Sequence, residues 1–379
     1  MNSDVLIIGG GVIGLSIARE FHKAGMRRIT LVEKGVCGRE SSWAAAGMLG
    51  PQAEANEGGS FFDLSSESRD LYPAFAAQLL EETGIDIELD RSGTLYLAFT
   101  DGDVAELHER FGWQRRAGLP VEHLSAAVAR EAEPLISADV RGALLFPNDW
   151  QVESRNLLNA LRRYAELNEI DLIEDTGIDR LIVDDGRVIG VDGRKGLFIA
   201  GKTVLATGAW TSLIKLGDLD APFSIEPVRG QMIAFRPAER PFQRVIYSRR
   251  GYIVPRADGR ILVGSTSESV GFDKSATDSA AEYLQTMAAE ITPVTADLKI
   301  VDQWSGLRPR SADGMPVLGS LAGIGDLFIA TAHYRNGILL APLTARLAAD
   351  KLVGGKNSEY FETFGPDRFR PRSASGGVS

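Results

Sequence analysis

The first 33 residues combine four features in an order that few folds accommodate. Val5 to Ile8 form an apolar run, the cluster GGGVIG follows it directly, and Ile29 to Val32 form a second apolar run that leads into Glu33. This order predicts a strand, a tight turn, a helix and a parallel strand. Such a unit binds a dinucleotide, because the turn places the pyrophosphate at the N-terminus of the helix.

Three glycines and the acid have separate physical tasks in this unit. Gly9 allows the tight turn, Gly11 lets a pyrophosphate approach the backbone, and Gly14 lets the helix pack against the strand. Glu33 follows Gly14 by 19 positions, close to the spacing expected of a carboxylate that binds the adenosine ribose. These four residues are therefore predicted to act at the dinucleotide.

The composition of the 379 residues argues against several classes of protein. Hydrophobic residues make up 44%, as in ordinary globular proteins with a large core. The 41 basic and 51 acidic residues give a net charge of −10, which disfavours binding to nucleic acid. One cysteine, Cys37, and four scattered histidines argue against disulfides and metal catalysis.

The sequence also shows no pattern typical of export or membrane insertion. The first predicted strand starts by residue 5, which leaves no room for a signal peptide, so we expect a cytoplasmic protein. No apolar stretch approaches the roughly 20 residues that cross a bilayer, so we expect no membrane span.

The order of the predicted elements indicates two domains that are joined more than once. Strand patterns typical of the N-terminal α/β domain return near Thr203 and again near Leu327. Between Pro222 and Thr266, short β-rich runs indicate an antiparallel sheet. We assign residues 1–86, 150–220 and 321–365 to a discontinuous cofactor domain, 87–149 and 221–320 to a substrate domain, and 366–379 to a flexible tail.

The region after Glu33 discriminates between two dinucleotides. A nicotinamide-dependent dehydrogenase would continue as repeated βαβ units. Instead, a stretch rich in small residues runs from Arg39 to Gly50, and a hairpin is predicted around Asp185-Gly186. These features suit a protein that encloses a longer cofactor, so the organisation favours FAD over NAD.

Six motifs together resemble the D-amino-acid oxidase superfamily of flavoproteins, and most closely its glycine-oxidising branch in thiamine synthesis. They are GGGVIG with Glu33, SSWAAAGML, ATGAW, GYIVPR, SGLRPRSADGMPVLG and HYRNGILLAP, and they extend from residue 5 to about residue 345. The resemblance implies an α/β fold in which a Rossmann-like FAD-binding domain is paired with a substrate domain built on an antiparallel β-sheet.

The resemblance also implies the contacts to FAD. The cofactor would be bound noncovalently, because related enzymes use a cysteine in the C-terminal part and Cys37 lies early in the chain. The helix that begins near Gly337 would direct free N–H groups to the flavin's pyrimidine end, where negative charge develops on reduction. The residues implied at the cofactor, beside the three glycines, are Val12, Ile13, Glu33, Lys34, Ser41, Ser42, Ala46, Gly47, Met48, Ile178, His333, Tyr334, Arg335, Asn336, Gly337, Ile338 and Leu339.

Three residues in these motifs are implied at a small amino-acid substrate. Arg308 would hold the carboxylate bidentately, Tyr252 would donate a second hydrogen bond to it, and Arg335 would lie beside them. Simpler interpretations stay open for each residue. Arg308 followed by proline is also typical of a solvated loop, Tyr252 of a core strand, and Arg335 of a pair with a nearby acid.

The implied reaction is an oxidative deamination. These motifs contain no obvious catalytic base, which fits direct hydride transfer from the substrate Cα to flavin N5. The imine would hydrolyse to an oxo acid and ammonia, or pass to thiazole assembly, and O2 would reoxidise the flavin to give hydrogen peroxide. The oligomeric state is not readable from the sequence, although members of the resembling family often form homo-oligomers.

The sequence leaves the substrate and the electron acceptor open. Arg249, Arg250 and Ser267 depart from the family pattern and predict a more polar or roomier site, so sarcosine and small D-amino acids remain candidates beside glycine. One alternative is a D-amino-acid or proline-type dehydrogenase with another acceptor than O2. The other is a flavin-binding subunit without catalytic activity.

Overall fold

A computed structural model describes residues 2–371 and arranges them around two eight-stranded sheets. The helices are α1 (Val12–Lys23), α2 (Ser41–Ala44), α3 (Pro51–Glu54), α4 (Ser60–Thr83), α5 (Asp101–Arg116), α6 (Ala126–Ala132), α7 (Ser154–Leu167), α8 (Asp278–Ile291), α9 (Gly337–Leu352) and α10 (Glu359–Phe364). The strands are β1 (Asn2–Ile8), β2 (Ile29–Val32), β3 (Met48–Leu49), β4 (Thr94–Ala98), β5 (Glu122–Ser125), β6 (Gly142–Phe146), β7 (Trp150–Gln151), β8 (Asp171–Ile173), β9 (Ile178–Asp184), β10 (Arg187–Gly193), β11 (Gly196–Leu205), β12 (Glu226–Phe235), β13 (Val245–Ser248), β14 (Tyr252–Pro255), β15 (Ile261–Gly264), β16 (Ile300–Arg310), β17 (Val317–Gly319) and β18 (Leu327–Thr331).

The first sheet contains the predicted dinucleotide unit. Its strand order is β17-β18-β11-β1-β2-β8, and β10 and β9 continue it in antiparallel pairs from β11. β1 pairs in parallel with β2 and β11. Val5 and Ile7 pack with α1, α4, α7 and α9, whereas Leu6 and Ile8 pack with β9 and β10 on the opposite face. From Val5 to Ile8 both faces of β1 are buried, which explains the apolar sequence of this part of the strand.

The second sheet supplies the wall that faces the dinucleotide unit. Its order is β16-β12-β15-β14-β13-β4-β6-β5, and its neighbours are antiparallel except for the parallel pair β13 and β4. Ile233 and Ile253 pack with α8 on one face. Met232 and Tyr252 lie on the other face, where Ala44 of α2 packs against them. The first part of the chain therefore meets the antiparallel sheet at α2.

The largest difference from the sequence-based expectation lies between Arg39 and Gly50. We expected a loop against a ligand there, but the chain forms α2 and β3. The small residues of this stretch allow close packing between elements. A Cβ at Gly306 of β16 would lie 2.7 Å from Ala44 Cβ, so α2 and β16 touch only because both positions are small.

Two details differ from the predicted division into domains. β17 falls within the range 221–320 but pairs with β18 in the first sheet. The range 366–379 begins with the 3-10 helix Pro366–Phe369, in which Arg368 forms an ion pair with Asp313 at 2.8 Å. Residues 372–379 lie outside the described part of the chain. The division into domains stays a prediction.

No helix between residues 2 and 371 has the combination of length and apolar character that a bilayer crossing requires.

A buried guanidinium ties α1 to α4. The Arg19 side chain is 1% exposed, and its Nε and Nη2 donate to the two carboxylate oxygens of Glu82 at 2.7 and 2.9 Å. The rings of Phe75 and Tyr164 lie 5.3 and 5.4 Å from its Cζ atom. Removing Arg19 would leave Glu82 without its partner and a cavity between two rings.

We therefore predict that Arg19→Ala lowers the free energy of unfolding by about 2–4 kcal/mol, because a largely buried ion pair loses one partner. Urea denaturation of the purified protein measures this difference. Arg28→Ala is the matched control, since its ion pair with Asp4 lies on the surface and is expected to contribute little. Equal effects of the two substitutions would contradict the structural role of Arg19.

Candidate active site

A cavity of about 460 Å³ lies between the two sheets and brings most of the predicted site residues together. It extends from the glycine turn after β1 to Tyr252 and Arg308 on the second sheet. Gly14 and Leu339 do not line it. A Cβ at Gly14 would lie 1.9 Å from the Gly9 carbonyl oxygen, so Gly14 permits helix packing rather than ligand contact. The predicted residues in the lining are Gly9, Gly11, Val12, Ile13, Glu33, Lys34, Ser41, Ser42, Ala46, Gly47, Met48, Ile178, Tyr252, Arg308, His333, Tyr334, Arg335, Asn336, Gly337 and Ile338.

The glycine turn leaves the start of α1 accessible. Gly9 has a φ of +107°, and a Cβ there would lie 2.4 Å from the Ala206 carbonyl oxygen, so only glycine fits. A Cβ placed at Gly11 would have Ser42 Oγ as its nearest neighbour, at 3.3 Å. The Val12 N–H donates to the same Ser42 hydroxyl at 3.1 Å. Donors at a helix N-terminus and a hydroxyl therefore lie together where an anionic group can approach.

Glu33 is held in place by the backbone. Its two carboxylate oxygens accept hydrogen bonds from Gly10 N–H at 2.7 Å and Gly35 N–H at 3.0 Å. The residue is buried, yet its side chain lines the cavity. Each carboxylate oxygen has a second lone pair, so the group can still accept a hydroxyl donor from a ligand.

Residues 41–48, the connecting segment, form hydrogen bonds to the second sheet. Ser41 Oγ donates to the Leu307 carbonyl, and Trp304 Nε1 donates to the Ala44 carbonyl at 3.0 Å. Leu307 and Trp304 both belong to β16. The connecting segment forms part of the cavity wall. Its hydrogen bonds therefore hold that part of the wall in a fixed position relative to the second sheet.

Arg256 extends this attachment from inside the protein. Its buried guanidinium donates to the Ala46 carbonyl at 2.6 Å and to the Val152 carbonyl at 2.8 Å, and it pairs with Glu153 at 3.3 Å. Gly47 has a φ of +74°, and a Cβ there would lie 2.0 Å from the Val152 carbonyl oxygen. Sequence reasoning missed Arg256, although a charged residue directly after the apolar strand β14 was a visible signal.

The N-terminus of α9 forms the other end of the cofactor wall. Tyr334 has a φ of +47° and turns the chain into the helix, where Asn336 offers no side-chain cap. The first helical N–H groups, from Gly337 onward, have no partner within the helix. Burial lowers the pKa of His333 to about 3, so its ring is neutral, and Nε2 lies 3.0 Å from Thr344 Oγ1.

A row of side chains across the second sheet forms the substrate end of the cavity. The pairing register aligns Trp304, Met232, Gly264, Tyr252 and Tyr247 on five neighbouring strands. Gly264 leaves the space that the Tyr252 hydroxyl occupies, since a Cβ there would lie 2.6 Å from it. Among residues 2–371, the hydroxyl's one hydrogen-bond partner is Met232 Sδ, a weak acceptor at 3.8 Å, so the hydroxyl can donate to a ligand instead.

Arg308 reaches this end of the cavity across β12. Its guanidinium lies against Gly230, where a Cβ would be 2.2 Å from Nη2. Nη2 donates to Ser265 Oγ at 2.6 Å and Nη1 to the Thr266 carbonyl at 3.1 Å. Within residues 2–371, no Asp or Glu forms an ion pair with Arg308. The guanidinium is positioned by neutral acceptors and keeps its charge for an anionic ligand.

Arg335 differs from Arg308 because an acid neutralises it. Its Nη2 donates to the Tyr247 hydroxyl at 2.8 Å and lies 3.3 Å from Glu54 Oε1. The nearby Glu54 carboxylate raises the pKa of Arg335. The sequence left open that Arg335 pairs with a nearby acid, and in the structure it forms such a pair with Glu54. The Tyr334 N–H donates to the Pro309 carbonyl at 3.1 Å, which places the two arginine-bearing motifs side by side.

Several cavity residues were not predicted. Trp210 belongs to the motif ATGAW, and its ring lies 3.5 Å below Lys34 Nζ. Glu54 carries no sequence signal, because its partner Arg335 lies 281 positions away. The cavity-lining residues that the prediction omitted include Glu40, Glu54, Ala206, Thr207, Trp210, Met232 and Ser265.

The three departures from the family pattern lie outside the cavity lining. Arg249 pairs with Glu106 at 3.5 Å, Arg250 pairs with Glu290 at 3.0 Å, and Ser267 makes no part of the wall. None of the three therefore adds a polar group to the cavity wall, and the expectation of a more polar or roomier site stays a prediction. Within residues 2–371, no cluster of histidine, cysteine, aspartate and glutamate could hold a metal ion.

Known proteins resemble this chain over nearly its whole length. Residues 4–351 match a family model described as FAD dependent oxidoreductase. Glycine oxidase of Pseudomonas aeruginosa is 38% identical over 356 residues, which cover 93% of this chain and 96% of the relative. The bifunctional protein ThiO/ThiG of Trichormus variabilis is 34% identical over 379 residues, covering 99% of this chain and 56% of the relative. The crystal structure of glycine oxidase from Geobacillus kaustophilus superposes with a TM-score of 0.91 at 37% identity, covering 97% of this chain and 99% of that one.

We predict that Glu33→Gln weakens FAD binding by about 10- to 100-fold, the effect of losing a hydrogen bond to a charged group. Fluorescence titration of the apoprotein with FAD measures the dissociation constant. Glu174→Gln is the matched control, because Glu174 also accepts a backbone N–H, from Cys37 at 2.7 Å, but lies outside the cavity lining. Unchanged FAD affinity in Glu33→Gln would contradict a ribose contact.

Proposed function

Because this chain belongs to the family of FAD-dependent oxidoreductases, we propose that it oxidises glycine or another small amine-bearing acid. The substrate loses a hydride from Cα and becomes an imine, which water converts to an oxo acid and ammonia. O2 takes the electrons and leaves as hydrogen peroxide. The identity of 38% to a relative named glycine oxidase supports this choice of substrate.

The walls of the cavity fit FAD at three separate places. The free N–H groups at the start of α1 and the bare backbone at Gly11 suit a pyrophosphate. The fixed carboxylate of Glu33 suits a ribose hydroxyl. The uncapped start of α9 suits the pyrimidine end of the flavin, because its N–H groups favour negative charge. We propose noncovalent binding, since Cys37 is buried and does not line the cavity.

The observation that carries the proposal is the state of Arg308. It lies in the same cavity as the FAD contacts, and Ser265 and Thr266 hold its guanidinium without neutralising it. A guanidinium presents a planar fork that matches the two oxygens of a carboxylate. We propose that Arg308 anchors the substrate carboxylate, and that the Tyr252 hydroxyl donates a further hydrogen bond to it.

Two anchors for one carboxylate also orient the rest of a small substrate. FAD, when bound, accepts the hydride that leaves Cα. The chain's own contribution is to hold Cα in one orientation, which supplies the proximity that the reaction needs. His333 cannot serve as an exposed base, because it is buried beside Thr344. The substrate amine is therefore proposed to react in its neutral form, without a protein base.

Two further points belong to the proposal. We place the reaction in thiamine biosynthesis, where the imine of glycine passes to thiazole assembly, and the relative named ThiO/ThiG supports this placement. We also propose a homo-oligomer, which sedimentation analysis of the purified protein tests.

The decisive experiment exposes the FAD-loaded protein to glycine, sarcosine and D-alanine, first without oxygen and then in air. Bleaching of the flavin absorption without oxygen identifies a substrate, and peroxide in air identifies an oxidase. Bleaching without peroxide would replace the oxidase with a dehydrogenase that uses another acceptor. No bleaching by any small amino acid would support a flavin-binding protein without catalytic activity.

We predict that Arg308→Ala raises KM for glycine by about 100-fold or more, because a charge-assisted bidentate interaction is lost. The variant should keep its FAD, as its flavin spectrum would show. Arg310→Ala provides the control, because Arg310 lies two residues along β16 and pairs with Glu226 outside the cavity lining. Normal KM in Arg308→Ala would remove Arg308 as the carboxylate anchor.

A further inference from the structure

We propose that Glu54 restricts this enzyme to substrates with a single carboxylate, by neutralising Arg335 and repelling a second negative charge. The inference rests on the proposed oxidation of a small amine-bearing acid in this cavity. It adds a specificity-determining residue that the substrate contacts themselves do not include.

Two of the arginines that line the cavity, Arg308 and Arg335, lie at its substrate end and are in different electrostatic states. Arg308 has only neutral acceptors around it, whereas Arg335 lies 3.3 Å from the Glu54 carboxylate. Both line the same cavity, and the hydrogen bond between Tyr334 and Pro309 holds their motifs together. Without Glu54, the wall would offer two cations and would suit a ligand with two acidic groups. With Glu54 present, Arg335 is already paired, so of these two arginines only Arg308 offers an unpaired cation.

A buried acid holds the first part of the helix that ends at Glu54. α3 is only four residues long, too short to be stable by its own hydrogen bonds. Asp149 is fully buried, and its carboxylate accepts the N–H groups of Gln52 at 3.2 Å and Ala53 at 2.6 Å. The start of α3 is therefore fixed from the protein interior.

A buried base holds the end of the same helix. Arg110 is 4% exposed, and its Nη1 donates to the carbonyls of Ala53 at 2.8 Å and Ala55 at 2.6 Å. Its Nη2 donates to the side chain of Asn56 at 2.7 Å. Backbone on both sides of Glu54 is thus tied to buried charged groups, which fixes the carboxylate at the cavity wall.

The position of Arg335 is fixed as well. Its guanidinium donates to the Tyr247 hydroxyl, and the Tyr247 ring stacks on Tyr252 with centroids 6.1 Å apart. The pair with Glu54 therefore stands beside the tyrosine proposed to contact the substrate carboxylate. A second carboxylate on the substrate would meet Glu54 there and find Arg335 already paired.

The side chains of Arg335 and Glu54 are 41% and 22% exposed, so water and salt screen the pair in part. The expected effect on specificity is therefore moderate. In Glu54→Gln, kcat/KM for iminodiacetate relative to glycine should rise by about 10-fold, because one repulsive charge disappears and one cation becomes available. High salt should reduce this gain.

A binding measurement separates recognition from turnover. Acetate and malonate are inert ligands with one and two carboxylates, and each perturbs the flavin absorption of the loaded protein when it binds beside FAD. The ratio of their dissociation constants should shift toward malonate by about 10-fold in Glu54→Gln, as a moderate charge effect. The double variant Glu54→Gln, Arg335→Gln should lose this shift, because the released cation is absent.

Glu40→Gln is the matched control. Glu40 also lines the cavity, but it pairs with Lys34 at 2.8 Å and Lys274 at 3.1 Å, away from both arginines. Glu40→Gln changes the net charge by the same amount. It should leave unaltered both the ratio of kcat/KM for iminodiacetate and glycine and the ratio of the dissociation constants of acetate and malonate. If glycine is oxidised and neither ratio changes in Glu54→Gln, the inference is wrong. If the wild-type protein fails to oxidise glycine, the proposed function fails, and the acetate and malonate ratio still decides the role of Glu54.

Discussion

The attachment of the connecting segment to the second sheet is the interaction on which the cavity depends. The connecting segment begins eight positions after Glu33, yet its carbonyls accept hydrogen bonds from Trp304 on β16 and from Arg256 directly after β14. Because the donors are large and buried, this contact fixes the distance between the cofactor wall and the substrate wall. Orientation of a substrate over FAD requires such a fixed distance, since small displacements cost much of the rate.

Missing side chains shape the substrate wall as much as present ones. Gly230 and Gly264 lie within strands, where glycine ordinarily weakens a sheet. Here each removes a Cβ that would collide with Arg308 or Tyr252, at 2.2 and 2.6 Å. The two groups proposed to bind the substrate are thus supported by backbone, which has fewer conformations than a side chain. Rigid support of this kind favours precise placement of a carboxylate.

The sequence predicted the local parts of this architecture better than the long-range ones. The glycine turn and Glu33 depend on spacing within one unit, and the family match to an FAD-dependent oxidoreductase confirms the choice of cofactor. The contact of Glu54 with Arg335 joins positions 281 residues apart, so no periodicity could predict it. Arg249 and Arg250 show that nearness in sequence can also mislead. They stand next to the tyrosine motif, which suggested a place in the cavity, but they form ion pairs with Glu106 and Glu290 outside it.

Met232 lies second in the row that crosses the second sheet, between Trp304 and Gly264. Its neighbours in that row are an indole fixed by a hydrogen bond and a glycine without a side chain, so neither can change its shape. An unbranched thioether with three rotatable bonds adjusts at low cost. Of these three positions, only Met232 can therefore adjust its rotamer, and it does so at a point where it lines the cavity.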